Sequence, residues 1–304
     1  MQLDEWLGRL RPGRSTSPRV RQALLGFALV AFGIMTIVAI ARFPDDVDIA
    51  PRWWLLAIVG IAGPLVTVSL NATEFVQQGR LVARRIAWRD AARISVLGTA
   101  ANLAPLPGSV IVRTAALTED EVGATRAAGT TATVGLAWLG AGALTAGALQ
   151  PFAGRAWLGA VLVPVGVGLL ALTLLLVRRA SPADGVGVVF GAIVAVEVGT
   201  VVVGALRLTG IIYGLGLDVN ASQALGLTLA GIVASATGVF PAGLGIREAL
   251  IAAASPILDV PVAVGVVAAA ADRLAGLAML AVLTTVLMRL RSTSADPSPN
   301  DSAD

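Results

Sequence analysis

Apolar residues run with few interruptions over residues 22–41, 53–70, 124–149, 157–177, 186–206 and 262–288. A hydrocarbon core about 30 Å thick takes about 20 apolar residues in a helix, so the pattern predicts six membrane spans. Arg21 and Arg42 bracket the first, and Trp53 and Trp54 open the second as interfacial residues do. Ala39-Ile40-Ala41 has the small-residue form of a signal cleavage site, but the apolar run before it exceeds a signal core of about 7–15 residues, and an uncleaved span is expected. Residues 74–93 mix Phe75, Val82 and Ile86 with five arginines, which predicts an amphipathic helix on the membrane surface.

Two further apolar stretches, 94–117 and 222–258, are interrupted. Residues 101–113 read Ala-Asn-Leu-Ala-Pro-Leu-Pro-Gly-Ser-Val-Ile-Val-Arg, and residues 239–248 read Val-Phe-Pro-Ala-Gly-Leu-Gly-Ile-Arg-Glu. Pro105, Pro107 and Gly108 in one, and Pro241, Gly243 and Gly245 in the other, forbid a straight helix, because proline removes a donor and clashes with the preceding turn. Each stretch therefore predicts helix, break, helix, with Ser109 as N-cap of the first returning helix and an arginine, Arg113 or Arg247, in the first turn after the break. Irregular backbone at membrane depth survives only when buried in protein or lining a wet cavity. Both stretches are thus candidate re-entrant hairpins, the first dipping from the cytoplasm and the second from outside. Hairpins of opposite entry suggest an inverted repeat with a site near the midplane. The expected fold is an all-α polytopic membrane protein: a basic cytoplasmic arm at 1–21, a transmembrane domain at 22–290 with six spans and two re-entrant hairpins, and a disordered tail at 291–304.

Composition narrows the chemistry. Only 13% of the 304 residues are charged and 56% are apolar, against about 25% charged in soluble domains, so no soluble domain is expected. Histidine and cysteine are absent, which excludes zinc-thiolate sites, thiol catalysis and a Ser-His-Asp triad. No P-loop lysine exists, and Gly243-Leu244-Gly245 is no dinucleotide fingerprint, because Glu248 occupies the third glycine position. No metal, cofactor, nucleic acid or catalytic residue is assigned. All 22 basic residues are arginine. With a cytoplasmic N-terminus, 14 of them lie inside and only Arg42, Arg52, Arg155 and Arg207 lie outside, so both termini are predicted cytoplasmic, in an inner (plasma) membrane.

Six charges remain at membrane depth: Arg113, Glu197, Arg247, Glu248, Asp272 and Arg273. Each costs about 2.5–3.5 kcal/mol at a helix centre and needs a partner or water. Arg113 and Arg247 stand near helix N-termini, where amide donors and the macrodipole favour a phosphate or carboxylate. Pairing with Glu248 or Asp272 to hold a hairpin in place is the alternative, and the residues leave both open. Asp272 and Arg273 lie about 100° apart on a helix and require separate partners. Asp272 shares a small-residue face with Gly265, Ala268 and Gly276 and is expected to meet Arg113 or Arg247. Glu197 lies opposite a ladder of Gly187, Gly191, Ala195 and Gly199, which is expected to pack. It reads either as a hydrogen-bonded structural carboxyl or as a proton- or cation-coupling site. Glu119-Asp120-Glu121 reads as a solvated cap, and Gly210-x-x-x-Gly214 as internal packing.

Asn102, Pro105, Gly108, Ser109 and Arg113, followed by Pro241, Gly243, Gly245, Arg247 and Glu248, resemble the membrane region of the lysylphosphatidylglycerol synthase and flippase family over residues 20–290. Ala242 stands where the family's element has a further glycine. The resemblance implies a flippase-like integral membrane protein, without the family's soluble aminoacyl-transferase domain. It implies binding and translocation of an anionic phospholipid or polyprenyl-linked intermediate, with Arg113, Arg247, Asn102 and Ser109 at the head group and Glu248, Asp272, Arg273 and Glu197 as charge partners or proton carriers. The other readings are a membrane-embedded enzyme of glycolipid or aminoacyl-lipid synthesis, or an accessory subunit of a separately encoded transferase.

Overall fold

The computed structural model describes residues 51–102, 108–118, 122–181, 185–236 and 245–292, and parts of a helical stretch between 30 and 41. The basic arm, most of the first span, Pro105, Pro107, Glu119-Asp120-Glu121, Pro241, Gly243 and residues 293–304 lie outside the described residues. After that stretch, nine α-helices stand in order among the described residues: α1 (Trp53–Leu81), α2 (Trp88–Ala101), α3 (Gly108–Leu117), α4 (Ala124–Leu149), α5 (Ala156–Ala180), α6 (Val186–Gly214), α7 (Ala221–Ala236), α8 (Ile246–Ala254) and α9 (Val262–Ser292). Helices α1, α4, α5, α6 and α9 are long and apolar enough to cross a membrane. The chain is an all-α polytopic membrane protein, and its lipid-facing surface is large and apolar, with Ile58, Val165, Leu206 and Val282 all exposed.

Hydrogen bonds fix which helix ends lie together. Ser181 Oγ donates to Leu81 O, Arg126 Nη2 to Ala180 O and Arg84 Nη1 to Ala116 O, at 2.6–2.7 Å. The C-termini of α1, α3 and α5 and the N-terminus of α4 therefore share one end of the bundle. Arg80, Arg84, Arg85, Arg89, Arg93, Arg178, Arg179 and Arg289 cluster there too, making it the basic end. At the opposite end Arg52 N donates to Gly214 O at 2.7 Å, Gln150 Nε2 to Ser222 O at 3.1 Å and Arg155 Nη2 to Leu258 O at 2.7 Å.

Helices α2 and α3 form a hairpin whose open end is the basic end. A Cβ on Gly108 would overlap the carbonyl of Ala101, and one on Gly98 would lie 3.3 Å from Ser109 Oγ, so only small residues allow the fold-back. At 14 and 10 residues the arms are about 21 and 15 Å long, too short to cross. Helices α7 and α8 form the second hairpin, open at the opposite end, with Gly231 against Arg247 and Gly226 against Leu258. The hairpins thus enter from opposite sides, at 88–117 and 221–254 rather than 94–117 and 222–258.

The order of elements repeats with inverted polarity: span, hairpin, span in α1–α4 and again in α6–α9. Helices α1 and α6 are both 29 residues long. A shift of 133 residues carries Trp53–Leu81 onto Val186–Gly214 and Trp88, the start of one hairpin, onto Ala221, the start of the other. The two long helices cross antiparallel: Gly214 packs on Leu56, Gly210 on Val59 and Gly199 on Leu70. Gly210-x-x-x-Gly214 is therefore an internal packing motif, as expected.

Three sequence expectations change. No separate amphipathic helix spans 74–93, because α1 continues to Leu81 with Glu74, Phe75 and Gln78 turned inward. Glu74 meets Arg113, and Gln78 Nε2 donates to Thr131 Oγ1 at 2.9 Å, so these polar groups find partners inside, although Gln78 Oε1 has none among the described residues. Arg207 is no loop residue but lies within α6, which runs on to Gly214. The ladder on α6 packs only through Gly199: Gly187, Gly191 and Ala195 are exposed, whereas Phe190, Ile193, Glu197, Val201 and Ala205 form the buried stripe.

Candidate functional site

Two groups of buried charges stand at the returning arms of the two hairpins. In the first, Arg113, in the second turn of α3, donates through Nη1 to both carboxylate oxygens of Glu74 at 2.7 Å. Its guanidinium carbon lies 5.8 Å from the centre of the Phe75 ring, within cation–π range. Glu197 comes from α6. It is only 4% exposed, and the α1–α6 crossing that puts Gly199 against Leu70 brings it level with Glu74. Both Glu74 and Arg113 lie within its electrostatic reach.

The second group centres on Asp272 of α9. Its Oδ1 lies 2.7 Å from Arg207 Nη2 and its Oδ2 2.8 Å from Arg247 Nη2. Arg207 also donates to Thr67 Oγ1 at 3.2 Å. Gly63 leaves the path for its side chain, since a Cβ there would stand 2.6 Å from Arg207 Cδ; Gly231 likewise lies under the Arg247 guanidinium. Glu248 is fully buried, accepts from the Gly245 N–H through Oε2 at 2.8 Å, and lies 3.4 Å from Arg273 Nε through Oε1. Gly245 has φ 82°, a left-handed conformation that suits glycine.

Of the residues singled out in the sequence, Arg247, Glu248, Asp272 and Arg273 come together, and Asp272 meets Arg247 as one of its two expected partners. Arg113 does not join them; it belongs to the first group with Glu197. Asp272 and Arg273 have separate partners. The N-cap role expected of Ser109 passes to Asn102, whose Oδ1 accepts from the Ser109 N–H at 2.7 Å across the tip of the hairpin. That bond holds Asn102 and Ser109 structurally at the tip.

The sequence singles out no role for Glu74 and reads Arg207 as an outer-loop charge, each lying at the fringe of a predicted span. The 133-residue shift reveals them: it places Glu74 on Arg207, while a shift of 134 places Pro107 on Pro241 and Arg113 on Arg247. Equivalent positions in the two halves thus carry opposite charge. In the first half the α1 residue is the acid that binds the hairpin arginine. In the second it is a base, and the acid comes from α9.

Arg113 and Arg247 have a further feature in common. The Nε donor of each is buried and has no hydrogen-bond partner among the described residues. An unmet buried donor costs about 1–3 kcal/mol, so the two equivalent arginines each retain capacity for an acceptor. No protein-family model matches the chain, and no curated protein matches it in sequence.

Proposed function

We propose that this protein is a flippase-like integral membrane protein that binds an anionic phospholipid or lipid-linked head group between its two hairpins and moves it across the bilayer. The observation that carries the reading is the pair of equivalent arginines, Arg113 and Arg247, set on returning helices that enter from opposite sides, each with a buried Nε donor unmatched among the described residues. Inverted repeats of this kind place substrate sites where the halves meet, and a guanidinium is the side chain best fitted to phosphate oxygens. The side chain of Arg247 is 24% exposed and that of Arg113 14%, so the α8 arginine is the more accessible contact. The resemblance to the lysylphosphatidylglycerol synthase and flippase family points the same way. In this reading the basic end faces the cytoplasm of a bacterial-type inner membrane and both termini lie on that side.

Reconstitution in liposomes with labelled phosphatidylglycerol tests it. Arg113→Lys and Arg247→Lys keep the positive charge opposite Glu74 and Asp272 while removing the planar fork, so translocation is expected to fall at least tenfold in the double variant with the fold retained. Equal rates in wild type and double variant, or equal rates for a zwitterionic lipid, would sink the assignment. Because the chain lacks cysteine, single cysteines at Phe152 and Arg85 report orientation: an impermeant maleimide applied to intact cells should label only the first.

A further inference from the structure

The charge inventory of the first group does not balance. Glu74 and Glu197 are two carboxylates, 3% and 4% exposed, around one guanidinium. Arg113 spends its Nη1 on both oxygens of Glu74. Glu197 has no ion pair or hydrogen bond among the described residues.

Among the described residues, the elements packed against α6 offer no second cation. Helix α7 has no charged residue, and the charges of α4 and α5, which are Arg126, Arg178 and Arg179, stand at the basic end. On α1, Glu74 is the neighbouring charge; Arg80, further toward the basic end, bonds Gln77. On α9, Asp272 and Arg273 are engaged in the second group and Arg289 stands at the basic end. Within α6 itself Arg207 is bound to Asp272. Two ionised carboxylates sharing one arginine would leave a net negative charge in a region that charges enter only at high cost.

We infer that Glu197 is a proton-binding site: it carries a proton while Glu74 holds Arg113, and it releases that proton when Arg113 becomes its own partner. The ligand is the proton itself, and the two carboxylates are the alternative acceptors of a single guanidinium.

Infrared spectroscopy of the full chain in an ester-free detergent reads the protonation directly, through the C=O stretch of a neutral carboxylic acid and its shift in deuterium oxide. At neutral pH wild type should show this band, and Glu197→Gln should lose one carboxyl's worth of it. Glu74→Gln should lose it as well, because Glu197 then becomes the counter-ion of Arg113 and ionises. Absence of the band in wild type, or its survival in Glu197→Gln, would overturn the site. Survival in Glu74→Gln would overturn the shared-arginine mechanism, since a carboxyl kept neutral by burial alone is indifferent to Glu74. Glu197→Asp retains a carboxyl and should keep a shifted band, which separates loss of the proton from loss of the fold.

Discussion

Replacing Asp272 by asparagine strips two guanidiniums of their shared counter-ion while nearly preserving side-chain volume. Arg207 and Arg247 lie 2.7 and 2.8 Å from its two oxygens, and the three side chains are 15%, 24% and 10% exposed. Removing one partner of a buried ion pair costs about 3–5 kcal/mol, because the other charge stays behind uncompensated. The partial exposure of Arg247 argues for the low end, so Asp272→Asn is expected to destabilise the bundle by about 3 kcal/mol. Unfolding in mixed detergent micelles titrated with a denaturing detergent measures this. The sharper measurement is a double-mutant cycle. Arg207→Gln in the wild-type background orphans half of Asp272, but in the Asp272→Asn background it removes an unpaired charge, so the second substitution should be less harmful by about 1 kcal/mol or more. A loss below about 0.5 kcal/mol for Asp272→Asn, or additivity within about 0.5 kcal/mol, would refute the view that this pair fastens α6 to α9.

Helices α4 and α5 pack backbone to backbone: a Cβ on Gly166 would lie 2.6 Å from Leu144 N, whereas Gly135 has nothing within 4 Å. Gly166→Ala should therefore lower stability by about 1–3 kcal/mol, while Gly135→Ala should be neutral or stabilising by up to about 1 kcal/mol, both read by the same unfolding assay. Asn102→Ala removes the acceptor for the Ser109 N–H and should cost about 0.5–2 kcal/mol, with Asn102→Asp restoring most of it. Arg155 joins Gln150, Ser222, Leu258 and Asp259 at the end of the bundle opposite the basic one. Arg155→Gln should raise amide exchange in residues 255–260, measured in lipid nanodiscs, and leave the hairpin at 88–117 unchanged.

The long apolar runs were legible because span length is set by bilayer thickness, a constraint that acts on each helix alone. Residues 124–149 came out at the observed bounds for that reason. At two places a polar residue ends the apolar run although the helix continues. Glu74 and Arg207 look like boundary residues in a one-dimensional pattern. In three dimensions each has a partner more than 35 residues away, at Arg113 and Asp272, and long-range pairing is invisible to a window. The ladder on α6 failed for a related reason: small residues permit close approach but do not demand it, and the stripe through Ile193, Glu197 and Val201 found neighbours instead. The returning helices α3 and α8 are legible because proline's lost donor is a local property that starts a new helix after it, whereas the partner of Arg113, Glu74, comes from a distant helix.

The two charge groups together contain four arginines, Arg113, Arg207, Arg247 and Arg273, and four carboxylates, Glu74, Glu197, Glu248 and Asp272. Fully ionised, they sum to zero. The first group then holds one excess negative charge and the second one excess positive charge. A proton on Glu197 leaves the whole set at plus one, and the phosphate of a singly charged lipid head group returns it to zero. The empty protein with Glu197 protonated therefore carries one unit of positive charge, all of it in the second group, at a depth where a net charge is expensive, and an anionic head group neutralises it. The proton is then already in place when the lipid binds. Adding phosphatidylglycerol to the detergent-solubilised chain in weak buffer at neutral pH should exchange no proton, in wild type and in Glu197→Gln alike. Uptake of one proton per lipid bound by wild type would mean that Glu197 is ionised in the empty protein and would overturn its assignment as the protonated carboxyl.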